Sequence, residues 1–455
     1  MSDVASRIAF VTQPDLALTF PDAAKCENVF AVYVADVVGG DVSIVPWDAV
    51  PLDCERDSVG AGGGITATLP DDGCANAFDL FWGSFDVVVI RTPWDYQLRV
   101  AGFSEWLDRL SAMLRKRHNS TRVFNDVFTL QWNASKLYLR ELRDEHGVCI
   151  VPTVFLTRAE DLQAFVDEHH PDQFSLPRLV RNSISIRRDD ASDREDGDGK
   201  GSESSVTPPQ RPSPKRFVIK PIVSAGAEAT FVVELKESER AEMLLHSIFS
   251  AKSQGCRGIP GGAMAQPFVD EATLEGEYSF IFFNDVFSHA VLKRAKPGDF
   301  RVQPQYGATT IPVSKETATF DWVDVLQQAQ KVITAATECC ARRASAAESF
   351  PGVGSGLHQA FPAPSGRPFL YARVDGVIVR GSSSTDRSPT ANATFMLMEL
   401  ELIEPNLFLH LGAALHGCVG DDPRPGTTQL PTDPSITVWH RAFAMALKER
   451  MSQRT

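Results

Sequence analysis

The chain has 455 residues, 43% hydrophobic and 9% aromatic, with a formal net charge of −13, which suits two or three packed units around a substantial core. That negative charge, with no basic stripe to offset it, opposes sequence-independent nucleic-acid binding and leaves small molecules as the expected partners. Eight cysteines without a CxxC pair fit neither a zinc ribbon nor a disulfide scaffold. Reduced thiols, no signal-peptide pattern at the N-terminus and no apolar run of transmembrane length lead to an expected cytoplasmic location with no membrane partner.

β-type runs at residues 7–12, 42–47 and 85–90 alternate with helical patterns. That alternation predicts a parallel sheet covered on both faces, a small α/β domain over roughly the first 125 residues. Residues 53–77 read as a surface insertion. Directly after the third run comes Arg91-Thr-Pro-Trp-Asp-Tyr96, at the carboxyl end of a strand, where open α/β sheets bind ligands. There Arg91 can hold a substrate carboxylate with Trp94 and Tyr96 as walls. The alternative is a Trp-anchored loop in which Arg91 pairs with Asp95.

A helix is predicted over 133–146, capped by Gly147 and stopped by Pro152, leading into an extended stretch at 148–155. Lys136 lies near its start; taken singly, such a lysine is usually solvated. Residues 182–215, rich in charge, Pro and Ser, predict a disordered insertion. Strands at 217–223 and 230–235 flank Ser224-Ala-Gly-Ala227, small enough for backbone amides to approach a phosphate beside Lys220. A plain hairpin turn has the same pattern, and no P-loop signature follows.

An amphipathic helix at 237–252 precedes strands at 264–269, 278–283 and 288–293. Between the first two strands, Glu275-Gly-Glu277 can offer a carboxylate to ribose hydroxyls, a signal that means little on its own. Lys293 and Arg301 flank a Pro297-Gly298 turn and can converge on one anion, a planar oxyanion suiting arginine; a solvated basic hairpin is the alternative. Residues 344–367 and 381–392 read as loops. Arg373 and Asp375 lie two apart on one strand, and Glu399 and Glu401 two apart on another. Residues two apart on a strand point the same way, roughly 7 Å from each other, where like charges repel by about 2 kcal/mol. A cation belongs there, and hard oxygen donors favour Mg2+ with phosphate over zinc. The alternative is a half-buried strand with a solvated outer face.

Taken in order, these pieces resemble the ATP-grasp superfamily, in the branch containing glutathione synthetase and the ribosomal-protein glutamate ligase. Arg91-Thr-Pro-Trp-Asp-Tyr96 and Glu399-Leu-Glu-Leu-Ile-Glu-Pro405 resemble most closely the cyclo-ligase subfamily of cycloserine biosynthesis. The resemblance runs from about residue 7 to 447. It implies an α/β (α+β) chain: an N-terminal Rossmann-like pre-ATP-grasp domain at 1–125, then an ATP-grasp fold of two α+β subdomains clasping ATP. These would be a lid subdomain at 126–265, carrying the insertion, and a catalytic subdomain at 266–455.

By the same resemblance, Lys136 and Lys220 reach the nucleotide phosphates with the loop at Ser224 and Gly226. Gln266, Pro267, Phe268 and Val269 hold adenine and Glu277 ribose. Lys293 and Arg301 serve the reacting phosphate, and Asp375, Glu399 and Glu401 hold Mg2+. Arg91, Trp94, Asp95, His289, Arg373 and Gln303 are the expected substrate contacts, His289 as a base against the commoner structural role. Gln303 and Glu401 each replace an Asn of the relatives. The implied reaction uses ATP to activate a small carboxylate as an acyl phosphate, which an amine attacks to give a linear or cyclic amide. A homo-oligomer is compatible with the resemblance. Two other functions stay open, a weakened ATP-binding regulator and an ATP-grasp phosphotransferase.

Overall fold

The computed structural model describes residues 5–50, 77–116, 119–159, 161–162, 216–234, 237–251, 255–256, 259–348, 369–380, 393–413 and 435–453. The expected insertion at 182–215, the loop at 381–392, and all but the ends of the expected insertion at 53–77 and loop at 344–367 lie outside them. Ala77 begins a helix, and Ala344–Glu348 prolong the preceding helix. No helix among the described residues is long and apolar enough to cross a membrane.

Strands β1 (Ser6–Thr12), β2 (Gly40–Pro46), β3 (Val87–Thr92) and β4 (Arg122–Phe124) form an all-parallel sheet in the order β2-β1-β3-β4. Alternation along β1 and β3 divides their side chains between two faces. Ala9, Val11, Val88 and Ile90 pack with Trp82 of helix α3 (Ala77–Trp82) and Phe103, Trp106 and Leu107 of α4 (Val100–Leu114). Before α3 come α1 (Leu16–Thr19) and α2 (Pro21–Val38). Ile8, Phe10, Val87 and Val89 take the other face with Phe30 and Val34 of α2. Both faces are dry, which is why these strands read as unbroken apolar runs.

The predicted helix over 133–146 is two helices, α5 (Val127–Asn133) and α6 (Tyr138–His146). The break falls at Lys136, whose N–H donates to Ile222 O at 2.8 Å, across the chain instead of along a helix. Gly147 caps α6 with φ of 56°, the left-handed conformation a side chain disfavours.

Strands β5 (Val154–Leu156), β6 (Arg216–Pro221), β7 (Phe231–Glu234) and β8 (Ala263–Pro267) form an antiparallel sheet in the order β5-β8-β6-β7. Phe217, Ile219, Ala263 and Ala265 pack on Ala241, Leu245 and Ile248 of α7 (Ser238–Ser250), a helical spacing that makes one apolar stripe. Val218, Lys220 and Gln266, at alternate positions, line the open side.

Past the short helix α8 (Asp270–Leu274), β9 (Glu277–Phe283), β10 (Val286–Arg294), β11 (Thr309–Val313), β12 (Tyr371–Arg380) and β13 (Ala393–Glu401) form a second antiparallel sheet, ordered β11-β10-β9-β12-β13. Helix α9 (Trp322–Glu348) covers its apolar face. Helix α10 (Val438–Ser452) wedges between the parallel sheet and this one, with Phe443 against Phe10, Phe30, Phe283 and Tyr371 at ring-centroid distances of 5.2–6.5 Å.

Two fully or nearly buried asparagines hold the acidic strands in place. Asn125 donates to Tyr371 O and Leu402 O, both at 2.9 Å, and accepts from Leu370 N at 2.7 Å. Asn133 bonds Leu400 O and Leu402 N, both at 2.8 Å, along the outer edge of β13. Further along that edge, Leu397 exchanges backbone hydrogen bonds with Cys149 and Val151.

Candidate active site

The two antiparallel sheets face each other across a cleft of about 1190 Å³, closed at one end by the loops after β1 and β3. Small-ligand pockets run about 300–1,000 Å³, so two ligands fit here together. Register makes its floor. Asp375 stands opposite Glu399, and Arg373 opposite Glu401, across β12 and β13; Lys293 stands opposite Glu277 across β10 and β9. Alternate positions point one way, so six ionisable groups share one face while Val374, Leu400 and Tyr278 enter the core behind it.

These charges are bound to one another. Lys136 Nζ lies 2.9 Å from Glu399 Oε1 and 3.1 Å from Ser224 Oγ, and also donates to the Ser224 carbonyl. Lys293 reaches Asp375 at 3.0 Å and also pairs with Glu277. Arg373 grips Asp375 through Nε and Nη2 at 2.8–3.1 Å and pairs with Glu401. Burial disfavours the Asp375 carboxylate, but Arg373 and Lys293 overcome it and hold the group at about 2. Burial likewise opposes ionisation of Glu399, and Lys136 and Lys220 pull its pKa below the ordinary value. Glu401 goes the other way: burial, with Asp375 and Glu399 as like-charged neighbours, lifts it to about 7 in spite of Arg373. Burial, followed by the charge of Lys136, lowers Lys220 against the pull of Glu399 and Glu277.

Above this floor sit the segments expected to meet a nucleotide. Ser224 to Ala229 form a tight turn in which Gly226, Ala227 and Ala229 have φ of 63°, 59° and 48°. Two alanines in the left-handed region cost about 1–2 kcal/mol each, strain of the kind found at ligand clamps. Gln266, Pro267, Phe268 and Val269 line the cleft beside Val151, Val218 and Met398, an apolar slot; the Gln266 amide donates to Thr153 Oγ1 at 2.8 Å. Arg301 is clasped by Asp299 at 2.8 Å and lies 3.7 Å over the Tyr306 ring. Gln303 lines the same wall, and its buried Oε1 has no hydrogen-bond partner among the described residues.

Most of the residues singled out from sequence thus border one cleft: Lys136, Lys220, Ser224, Gly226, Gln266, Pro267, Phe268, Val269, Glu277, Lys293, Arg301, Gln303, Arg373, Asp375, Glu399, Glu401, Trp94 and Asp95. Arg91 and His289 do not. Arg91 belongs to β3, is 5% exposed, and pairs with Glu27 at 2.6 Å among the rings of Phe10, Phe30 and Phe443; Glu27, not Asp95, is its ion-pair partner, and it stands outside the cleft lining. Asp95 instead accepts from Trp47 Nε1 and pairs with Arg99. Tyr96, expected as a wall, is buried beneath the loop. His289 stacks on Trp439 at 3.8 Å and bonds Leu407 O at 2.8 Å. Among the cleft residues that the sequence reading passed over are Gln97 and Glu404, both 7% exposed. The only signal for Glu404 was its place as the third acid of the closing Glu-Leu-Glu-Leu-Ile-Glu run.

Burial holds His289 near a pKa of about 4, a base kept neutral. The unfolded chain takes up this proton below about 6.5 and the folded chain does not, so stability is full above that pH and drains as pH falls through 4. By pH 5 the loss is about 2 kcal/mol. His289→Gln escapes it: its urea midpoint improves relative to wild type between pH 7 and 5, whereas a constant difference refutes the assignment.

Among the described residues no three His, Cys, Asp or Glu side chains form a ready-made metal cage. The donors still suit Mg2+, which binds through one or two carboxylates and fills its remaining positions with phosphate and water. Asp375 and Glu399, opposed across two strands, are such a pair, with Glu401 beside them on the same face of β13.

A family model described as the N-terminal domain of D-cycloserine synthetase DcsG matches residues 76–125. The cycloserine biosynthesis protein DcsG of Streptomyces lavendulae is 26% identical over 348 residues, 76% of this chain and 84% of that protein. The crystal structure of D-cycloserine synthetase DcsG aligns over 98% of this chain and 100% of that one, with a TM-score of 0.54 and 19% identity. The ATP-complexed D-alanine–D-alanine ligase of Bacillus anthracis aligns over 88% and 87%, with a TM-score of 0.42 and 11% identity.

Proposed function

We propose that this chain, an ATP-grasp protein related to the cycloserine biosynthesis protein, is an ATP-dependent ligase that joins a small carboxylate to an amine nitrogen. The observation that carries the reading is the charged floor: Lys136 and Lys293 neutralise Glu399 and Asp375 directly, with Lys220 close enough to bias Glu399. Lysines so arranged can exchange carboxylate for phosphate. In the reaction proposed, a substrate carboxylate oxygen attacks the γ-phosphorus of ATP, the bond to ADP breaks, and an acyl phosphate forms. The amine then attacks the carbonyl carbon, the C–N bond forms, phosphate leaves and the nitrogen sheds a proton.

Phosphoryl transfer asks for position and charge neutralisation, not for a protein nucleophile. Lys136, Lys220 and Lys293 would bind the phosphates, and Arg301, on the turn after β10, would meet the transferring group. Phe268, Met398, Val151 and Val218 would sandwich the base, with Glu277 within reach of ribose. Asp375 and Glu399, with Glu401, would hold Mg2+, which when bound offsets charge on the phosphate oxygens.

The test is ADP release with Mg2+ and ATP across paired carboxylates and amines, with mass analysis of the product. Release that needs both partners, yielding an amide, is the expected result. A stable phosphorylated product points to a phosphotransferase, and tight ATP binding without turnover to a regulator. Lys220→Met lowers ADP release by roughly 100-fold or more, on the scale of losing one preorganised electrostatic contact. Its melting temperature holds, because an apolar side chain of similar length replaces a half-buried cation that no carboxylate contacts directly among the described residues. Undiminished release removes Lys220 from the phosphate site.

A further inference from the structure

At the end of the cleft nearest β3, two side chains more than nine-tenths buried carry oxygens without a partner among the described residues. The Glu404 carboxyl, 7% exposed, takes part in no ion pair or hydrogen bond among the described residues, although its backbone oxygen accepts from Trp94 Nε1 at 3.0 Å. Gln97, also 7% exposed, has an Oε1 with no partner among the described residues. Both line the cleft. Burying a carboxyl and an amide oxygen without partners is costly, so a ligand that supplies donors is the natural complement.

The surroundings decide which donors. Every arginine nearby is already engaged: Arg91 by Glu27, Arg99 by Asp48 and Asp95, Arg373 by Asp375 and Glu401. Arg91 keeps one nitrogen, Nη1, without a partner among the described residues, but it does not line the cleft; no guanidinium bordering this end is left for a carboxylate, and Glu399 and Glu401 would repel one. The phenol of Tyr96, next to Gln97, has its pKa raised first by burial and then by Glu404, Glu399 and Glu401. On the open side stands an aromatic wall, Trp94 with Phe20 edge-on at 5.2 Å. An ammonium has three donors and no acceptor and is attracted to ring faces.

We propose that Glu404, Gln97 and Trp94 form the subsite for the ammonium group of a small primary amine, the nucleophile-bearing substrate. The inference rests on the ligase reading and deepens it. Burial, followed by the charges of Glu401 and Glu399, holds the Glu404 carboxyl well above its ordinary range; a bound cation reverses that and makes Glu404 its counter-charge, while Gln97 Oε1 accepts one N–H and the indole face covers the cation. The carboxylate to be activated then lies on the other side, toward Arg301 and Lys293.

The test measures calorimetric binding of small α-amino acids of both hands, and of their N-acetyl forms, to the full chain with Mg2+ and a non-hydrolysable ATP analogue. N-acetylation removes the cation and keeps the carboxylate. At least one free amine is expected to bind, its N-acetyl form at least tenfold more weakly. Gln97→Met and Glu404→Gln are each expected to weaken the free amine at least tenfold with nucleotide affinity unchanged. Should Glu404→Gln not fold, Gln97→Met carries the test. Equal binding of acetylated and free forms, wild-type affinity in the variants, or no amine bound overturns the subsite. Failure of the nucleotide analogue itself to bind overturns the ligase reading instead, so the two failures are distinguishable.

Discussion

Glu399→Gln lowers ADP release by roughly 100- to 1000-fold, the scale of removing one preorganised electrostatic contact, while the protein melts within about 3 °C of wild type. The substitution keeps shape and removes one charge from the middle of the floor. Glu399 carries the ion pair to Lys136 and stands opposite Asp375, so its loss unbalances the positions proposed for both metal and phosphate. The fold tolerates it, since the side chain is 29% exposed and Lys136 keeps its contacts to Ser224. Asp375 would be a poorer probe: its side chain is 2% exposed and tied to both Lys293 and Arg373, and breaking such a pair costs about 3–5 kcal/mol of stability. Turnover of Glu399→Gln equal to wild type, measured as ADP release under saturating Mg2+ and ATP, would falsify its placement at the reacting centre.

Asn125→Ala is expected to be the most damaging single change outside the cleft, at about 3–5 kcal/mol, since each buried backbone group left unpaired costs about 1–3 kcal/mol. Asn125 is 0% exposed and satisfies Leu370 N, Tyr371 O and Leu402 O together. It joins the end of β4 to β12 and to the chain leaving β13, so the acidic strands drift when it is gone. Against a typical stability of about 5–15 kcal/mol, the melting midpoint falls by about 6–10 °C. Asn125→Asp is no remedy, because a carboxylate cannot donate to the two carbonyls. A midpoint within about 2 °C of wild type shows that water replaces the amide and that the link is dispensable.

Much of the floor was legible because strand alternation is local. The two-residue spacings of Arg373 with Asp375 and of Glu399 with Glu401 place them on one face whatever the rest of the chain does. The apolar runs of β3 and β9 read correctly for the same reason. What failed depended on distant partners. Nothing around Arg91 discloses that Glu27, 64 residues earlier, takes its charge, nor around His289 that Trp439 lies flat upon it. The break at Lys136 was hidden because Ala134-Ser-Lys-Leu suits a helix; a hydrogen bond to Ile222, far along the chain, overrides that preference. Gln97 went unread because burial without a partner is a property of the packed molecule alone.

The clamps along the outside of β13 have a colloidal consequence. A sheet ending in an acidic, functional strand presents a row of unsatisfied amides and carbonyls to any other copy of the chain, the usual seed for strand addition. Here Asn133 and the Cys149 to Val151 segment occupy that row at Leu397, Leu400 and Leu402. At the opposite border, β11 carries Pro312, which has no N–H to offer. Among the described residues both borders of the five-stranded sheet are therefore blunted against the addition of a strand from another copy.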